Sequence, residues 1–404
     1  MQSLPYRWLK ISLINLVIVA TLGVIMRYKI LYPLPFVNQK HLLHGHSHFA
    51  FAGWITQALM TLMIIYLANQ SEKRVFKKYS WLLWANLLTA YAMLIAFPIE
   101  GYGLYSIIFS TLSIFVSYAF GIVFWKDLNK LPEKSISHYW FKAAVIFNAL
   151  SSLGAFALAF MMANKIIHQN WYLAAEYFYL HFQYNGWFFF GCMGLFASLL
   201  SRYNILNFDV KKIFWLFALA LVPAYFLSTL WMPMPLWVYI LVVMAAFAQV
   251  VGFIWLVVMV KAKWVEIKNN FSTVVKYILG FSALALLVKL LLQLGSTIPA
   301  LSKLAFGFRP IVIGYLHLVL LGVITLFLLG YIFAGEHFKI SRNATRGIYI
   351  FAAAVLLNEI VLMIQGVAAI SYNAIPFANE MLLGTGLLLF TGALITSFAK
   401  RKKI

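Results

Sequence analysis

Twelve stretches of the chain stay apolar over the ~20 residues that a helix needs to cross a bilayer, and short polar segments separate them. They fall at about 9–27, 43–68, 79–98, 104–125, 141–163 and 173–200, then at about 213–230, 234–261, 273–294, 311–336, 346–366 and 378–398. None alternates with a period of two, which predicts helices rather than the strands of a barrel. The expected fold is therefore all-α: a polytopic membrane protein of about twelve transmembrane helices, forming a single integral membrane domain over residues 1–404. The connections leave no room for a soluble domain.

Composition agrees with that pattern, because 64% hydrophobic and 10% charged residues do not suit a soluble globular chain. The net charge of +21 would suit nucleic acid, but its distribution argues against that partner. Lys and Arg gather in loops of one parity: Arg7 and Lys10, then Lys73, Arg74, Lys77 and Lys78, then Lys126, Lys130 and Lys134. Arg202, Lys211, Lys212, Lys261, Lys263, Lys268, Lys339, Arg342, Arg346 and the terminal Lys400-Arg401-Lys402-Lys403 continue the series. The loops after helices three, seven and eleven carry none. Positive charge stays on the cytoplasmic side, so both termini are expected there, in a cytoplasmic (inner) membrane with the lipid bilayer as partner. Arg27, Lys29 and Lys40 are the exception to this pattern. No small-residue cleavage site follows the first helix, which is read as retained. Cys192 stands alone and is read as packing.

Against this background the histidines carry the candidate chemistry. His41, His44, His46 and His48 open helix two, while His181 and His317 lie inside helices six and ten. All three helices enter from the outer side. At 1.5 Å per residue the inner two lie about 9–12 Å deep and the cluster about 0–8 Å. Imidazoles inside spans are costly and usually functional, and they ligate iron, copper and zinc. His41, His44 and His48 share one helical face, whereas His46 is turned about 200° from His44. A pair at i and i+4 suits a metal; a single member with a histidine from another helix suits the two axial positions of a heme. Interfacial histidines wetted by headgroup water are the alternative for the cluster, and a hydrogen-bonded core histidine is the alternative for His181 or His317. His138, His168 and His337 fall in loops or at helix ends and are read as solvated.

These residues resemble the heme–copper oxidase subunit I superfamily, including its NnrS-like relatives. His317-Leu-Val-Leu-Leu-Gly322 is similar to the helix-ten segment that holds the low-spin heme ligand. The segment from His44 to Trp54 is similar to the site of the opposing ligand, and His181 is similar to the helix-six histidine that binds copper. The resemblance implies three arcs of four helices, with ligands from helices two, six and ten near the outer surface. It departs in three places. Helix seven has no histidine, Tyr315 stands where the family carries the axial ligand of its oxygen-reactive heme, and Tyr184 follows His181 by three positions rather than four. A complete oxygen-reducing centre is thus not expected.

The functional expectation is a membrane heme protein, of b-type or heme–copper character, in electron transfer or in oxygen or nitric oxide metabolism. His46 or His48 and His317 would bind the heme, with Arg309 and Lys303 near its propionates. His44, His48, His181 and His317 are the candidate metal ligands, and copper is the second cofactor considered. A quinol or cytochrome donor and other membrane subunits are the implied partners. The alternatives are a multi-pass transporter, with Lys289, Gln293, Asn358 and Glu359 along its path, and a non-heme metal-dependent membrane enzyme using the same histidines.

Overall fold

The computed structural model describes residues 4–71, 75–202, 209–335 and 337–401, except for the side chains of residues 209, 266 and 303–306. Lys73, Arg74, Lys402 and Lys403 of the topology pattern lie outside these residues, as does the side chain of Lys303. The chain is an all-α polytopic membrane protein. Among the described residues, eleven helices are long and apolar enough to span a bilayer: α1 (Leu4–Leu31), α2 (Gln39–Gln70), α3 (Val75–Glu100), α4 (Leu104–Asn129), α5 (Ile136–Ala163), α7 (Val210–Thr229), α8 (Leu236–Ala262), α9 (Thr273–Gly295), α10 (Arg309–Ala334), α11 (Arg342–Ile370) and α12 (Ala378–Ser397). The sixth helix, α6, runs over residues 169–202 as Gln169–His181, Phe182–Phe188 and Phe189–Arg202. It is the least apolar of the twelve expected spans, since Glu176, His181, Gln183 and Asn185 all lie on it.

Helix ends run past the apolar stretches, and side-chain caps from Asn38, Ser135 and Ser341 set the starts of α2, α5 and α11. Helix α2 starts at Gln39, where the Asn38 side chain accepts from the amides of Lys40 and His41. Helix α10 starts at Arg309, with Pro310 in its first turn. The histidines consequently lie farther into their helices than the apolar stretches indicate: His48 is about 14 Å from the start of α2, His181 about 18 Å from that of α6 and His317 about 12 Å from that of α10. Helix α7 tightens to a 3₁₀ turn at Tyr225–Thr229, directly after Pro223, as expected where a proline interrupts the hydrogen-bond ladder.

The chain forms two compact units. The first comprises Met1–Leu131, Thr273–Leu279 and Thr325–Ile404. Helix α2 is buried over 94% of its most apolar window; α1 and α3 pack against it, α4 packs on α3, and α12 packs on α1 and α11. At one end Lys78 pairs with Asp127 at 2.6 Å, and the Tyr79 hydroxyl donates to the same carboxylate at 2.9 Å, tying α3 to α4. The Lys10 ammonium donates to the Ser397 carbonyl and ties α1 to α12.

The second unit comprises Pro132–Ser272 and Gly280–Ile324. Helix α5 packs on α6, and α7 on α8. Ala220, Ala224, Leu227, Val242, Ala245 and Ala246 fill the α7–α8 contact, with Leu294 of α9 against them. The Tyr239 hydroxyl donates to the Thr297 carbonyl at 2.6 Å, fixing α8 against the end of α9.

One expectation is corrected here. His138 is not solvated: it lies in the first turn of α5 and is only 6% exposed, because that turn folds inward rather than forming a loop.

Candidate functional site

The helices that carry His48, His181 and His317 share a local feature: each changes from α to π geometry just behind that histidine. The π segments are Ala50–Thr56 after His48, Phe182–Phe188 after His181 and Leu318–Thr325 after His317. Such wide turns are rare and concentrate at functional sites. A glycine lies five positions after each of these histidines, at Gly53, Gly186 and Gly322, and Trp54 and Trp187 follow the first two. This H-x4-G spacing is legible in the sequence, although it is not itself a metal-ligand spacing.

In the first unit the helix-two histidines divide between two faces, as their spacing predicts. His48 stacks on Phe97 with ring centroids 4.2 Å apart, and its Nε2 lies 3.4 Å from the Tyr102 hydroxyl. His44 meets the edge of Tyr102 at 4.6 Å, and its buried Nε2 has no hydrogen-bond partner. His41 covers Gly101, whose φ of +64° and lack of Cβ allow the ring to approach. His46 faces α1, beside Val19 and Gly23, and its buried Nδ1 has no hydrogen-bond partner. Helix α2 lies close to α3 here: a Cβ on Gly45 would come within 3.0 Å of the Pro98 ring.

The π segment of α2 exposes carbonyls that neighbouring side chains meet. Asn15 of α1 donates to the Gly53 carbonyl at 2.5 Å, and Asn86 of α3 donates to that of Ala52 at 3.0 Å and to the Gln57 side chain at 2.8 Å. Trp54 donates its indole N–H to Thr325 at 3.0 Å.

In the second unit His181 is 1% exposed and both of its ring nitrogens are engaged. Nε2 lies 2.9 Å from the Leu221 carbonyl and must carry the proton, since a carbonyl only accepts. Nδ1 therefore accepts from the Asn185 amide at 3.1 Å. The Leu221 carbonyl comes from the turn that precedes Pro223, where the α7 ladder changes pitch. His181 thus meets the description of a hydrogen-bonded core histidine, and a copper ion there would have to displace one of these partners. Copper does not fit this arrangement.

His317 is arranged differently. Its Nδ1 lies 3.0 Å from the Ile313 carbonyl one turn earlier, so Nδ1 carries the proton and the lone pair is on Nε2. That tautomer, fixed by a backbone carbonyl, is the usual state of a metal-ligating histidine. The ring is half-buried, and no residue of Arg309–His317 is fully buried. Arg309 is exposed at the start of α10. Tyr315, two residues before His317, is hydrogen-bonded to Tyr184, which also bonds Ser228.

The remaining polar candidates are distributed between the units. Lys289 and Gln293 of the second are both buried, at 6% and 7% exposure, and the Lys289 charge reaches His181. Buried side-chain oxygens of Gln249 and Gln293 have no hydrogen-bond partner. In the first unit the Asn358 amide donates to Glu359 at 3.1 Å. Cys192 is buried and free. Among the described residues, no group of three or more His, Cys, Asp or Glu is disposed to hold a metal ion. No family model and no curated protein matches the chain.

Proposed function

We propose that this is a heme-binding membrane protein in which His317 supplies an axial imidazole, acting in electron transfer or in the metabolism of a diatomic gas. The observation that carries the reading is the His317 tautomer. Nδ1–H is held by the Ile313 carbonyl, which leaves Nε2 as the basic nitrogen of a half-buried ring on an apolar helix. A porphyrin suits that setting, since its faces are apolar and its iron takes neutral imidazole. The helix-two histidines support the same chemistry from the first unit, where His44 Nε2 and His46 Nδ1 are buried without hydrogen-bond partners. When bound, the heme would supply one-electron redox chemistry. The chain's own part is to fix imidazole orientation and exclude water, with Arg309 available to a propionate from the exposed end of α10.

Copper is left out of this proposal, because His181 is saturated by Leu221 and Asn185. A cytoplasmic membrane, cytoplasmic termini and a quinol or cytochrome donor belong to the same reading and rest on charge distribution and resemblance.

The test is purification in detergent, oxidised and dithionite-reduced visible spectra, a pyridine hemochrome assay and metal analysis. Heme at one equivalent or more, with sharp reduced bands lost in His317→Ala, is the expected result. Protein from heme-replete cells that contains none would refute the reading. A second reading, proton or ion movement, is favoured by Lys289, buried one helical turn before Gln293, whose buried side-chain oxygen has no hydrogen-bond partner. It predicts a flux in proteoliposomes that Lys289→Met abolishes.

A further inference from the structure

The three π segments have a second property in common: each is tied to the preceding membrane helix by a side-chain hydrogen bond. In the first pair, Asn15 of α1 donates to the Gly53 carbonyl of α2. In the second, Asn148 of α5 accepts at 2.9 Å from Gln183, a π-segment residue of α6. In the third, Ser282 of α9 donates to the Val323 carbonyl of α10 at 2.7 Å. Asn15, Asn148 and Ser282 precede His48, His181 and His317 by 33, 33 and 35 positions. Asn148, His181 and Gly186 each follow Asn15, His48 and Gly53 by the same 133 positions. Each pair lies within a single unit.

We propose that Asn15, Asn148 and Ser282 occupy one position of a helix pair repeated three times, and that they are positioning residues. Each holds the π segment behind a histidine, and Ser282 thereby fixes the rotational phase of the turn that carries His317.

The physics follows from the carbonyls. A π segment holds one residue more than an α-helix over the same rise, so its backbone carbonyls are displaced from their usual amide partners. Inside a membrane a displaced carbonyl has no water to turn to and needs a side-chain donor. Asn15 is well suited, because its oxygen accepts the Tyr91 hydroxyl at 2.8 Å, which leaves its amide directed at Gly53. Ser282, 5% exposed, performs the same task with a hydroxyl. Asn148 is held in turn: Ser151, whose hydroxyl donates to the Asn148 carbonyl, shares the Gln183 amide with it. Loss of the donor lets the segment relax toward α geometry. One residue of register corresponds to about 100° of helix rotation, enough to turn the upstream imidazole onto another face.

For Ser282 the inference rests on the heme reading of His317, and the experiment separates the two. Wild type, Ser282→Ala and Ser282→Thr are compared by hydrogen–deuterium exchange over 318–325 and by the electron paramagnetic resonance spectrum and heme content of the detergent-purified protein. Ser282→Ala should exchange roughly five- to tenfold faster over that segment, as expected for loss of one interhelical hydrogen bond, with shifted heme g values or reduced heme content. Ser282→Thr should behave as wild type. Exchange unchanged in Ser282→Ala would overturn the clamp. Faster exchange with an unaltered heme spectrum and content would overturn the aiming role. If wild type holds no heme, the heme reading fails, and Ser282→Ala over 318–325 with Asn15→Ala over 50–56 still decides whether the clamps hold the π segments. Should Ser282→Ala not fold, Asn15→Ala carries the exchange test.

Discussion

Replacing Asn86 with leucine isolates what a π segment costs to hold inside a membrane. Asn86 is 1% exposed and donates to the Ala52 carbonyl at 3.0 Å and to Gln57 at 2.8 Å. Leucine has similar bulk, so the loss is mainly of hydrogen bonds. Interhelical bonds in membranes average about 0.6 kcal/mol and reach about 1.7 kcal/mol. Two of them predict a destabilisation of about 1–3 kcal/mol. The upper half of that range is favoured, because Gln57 Nε2 already has no hydrogen-bond partner and the substitution would leave neither end of that buried amide bonded. The assay is equilibrium unfolding in mixed micelles, run as a double-mutant cycle with Gln57→Leu. A coupling of about 0.5–1.5 kcal/mol is expected, since each single change already breaks the shared bond. Stability of Asn86→Leu within about 0.3 kcal/mol of wild type, or strict additivity in the cycle, would refute the reasoning.

Two further predictions follow from particular contacts. His181→Phe should lower stability by about 1–3 kcal/mol, through the unpaired Leu221 carbonyl and Asn185 amide. Heme and metal content per folded protein should stay unchanged, and a selective loss of bound metal would contradict the structural role of His181. Topology reporters placed after Lys130 and at Asn373 should fall on opposite sides of the membrane, with Lys130 cytoplasmic; reporters active on the same side would break the helix count.

The histidine cluster illustrates how far spacing alone reaches. The 100° step separated His46 from His41, His44 and His48, and the structure places them on α1 and on the α3 end as that step requires. The same reasoning could not distinguish His181 from His317. Both are single imidazoles among apolar neighbours, yet one has both nitrogens engaged and the other is fixed by its own helix. That difference depends on where Leu221 lies, forty positions from His181 in the chain. His138 was misread for the same reason, since a helix end near polar residues reads as exposed until its inward face is known.

The chain itself determined the all-α membrane class, the order of its apolar helices and which of them carry His48, His181 and His317, because bilayer thickness and the cost of unpaired backbone in lipid leave few solutions. Only tertiary structure decided the helix pitch behind each histidine and the tautomer of its ring. A π turn is a small energetic departure from an α turn, set by donors such as Asn15, Asn86 and Ser282 on other helices. Local sequence cannot fix a choice whose deciding hydrogen bonds come from elsewhere in the fold.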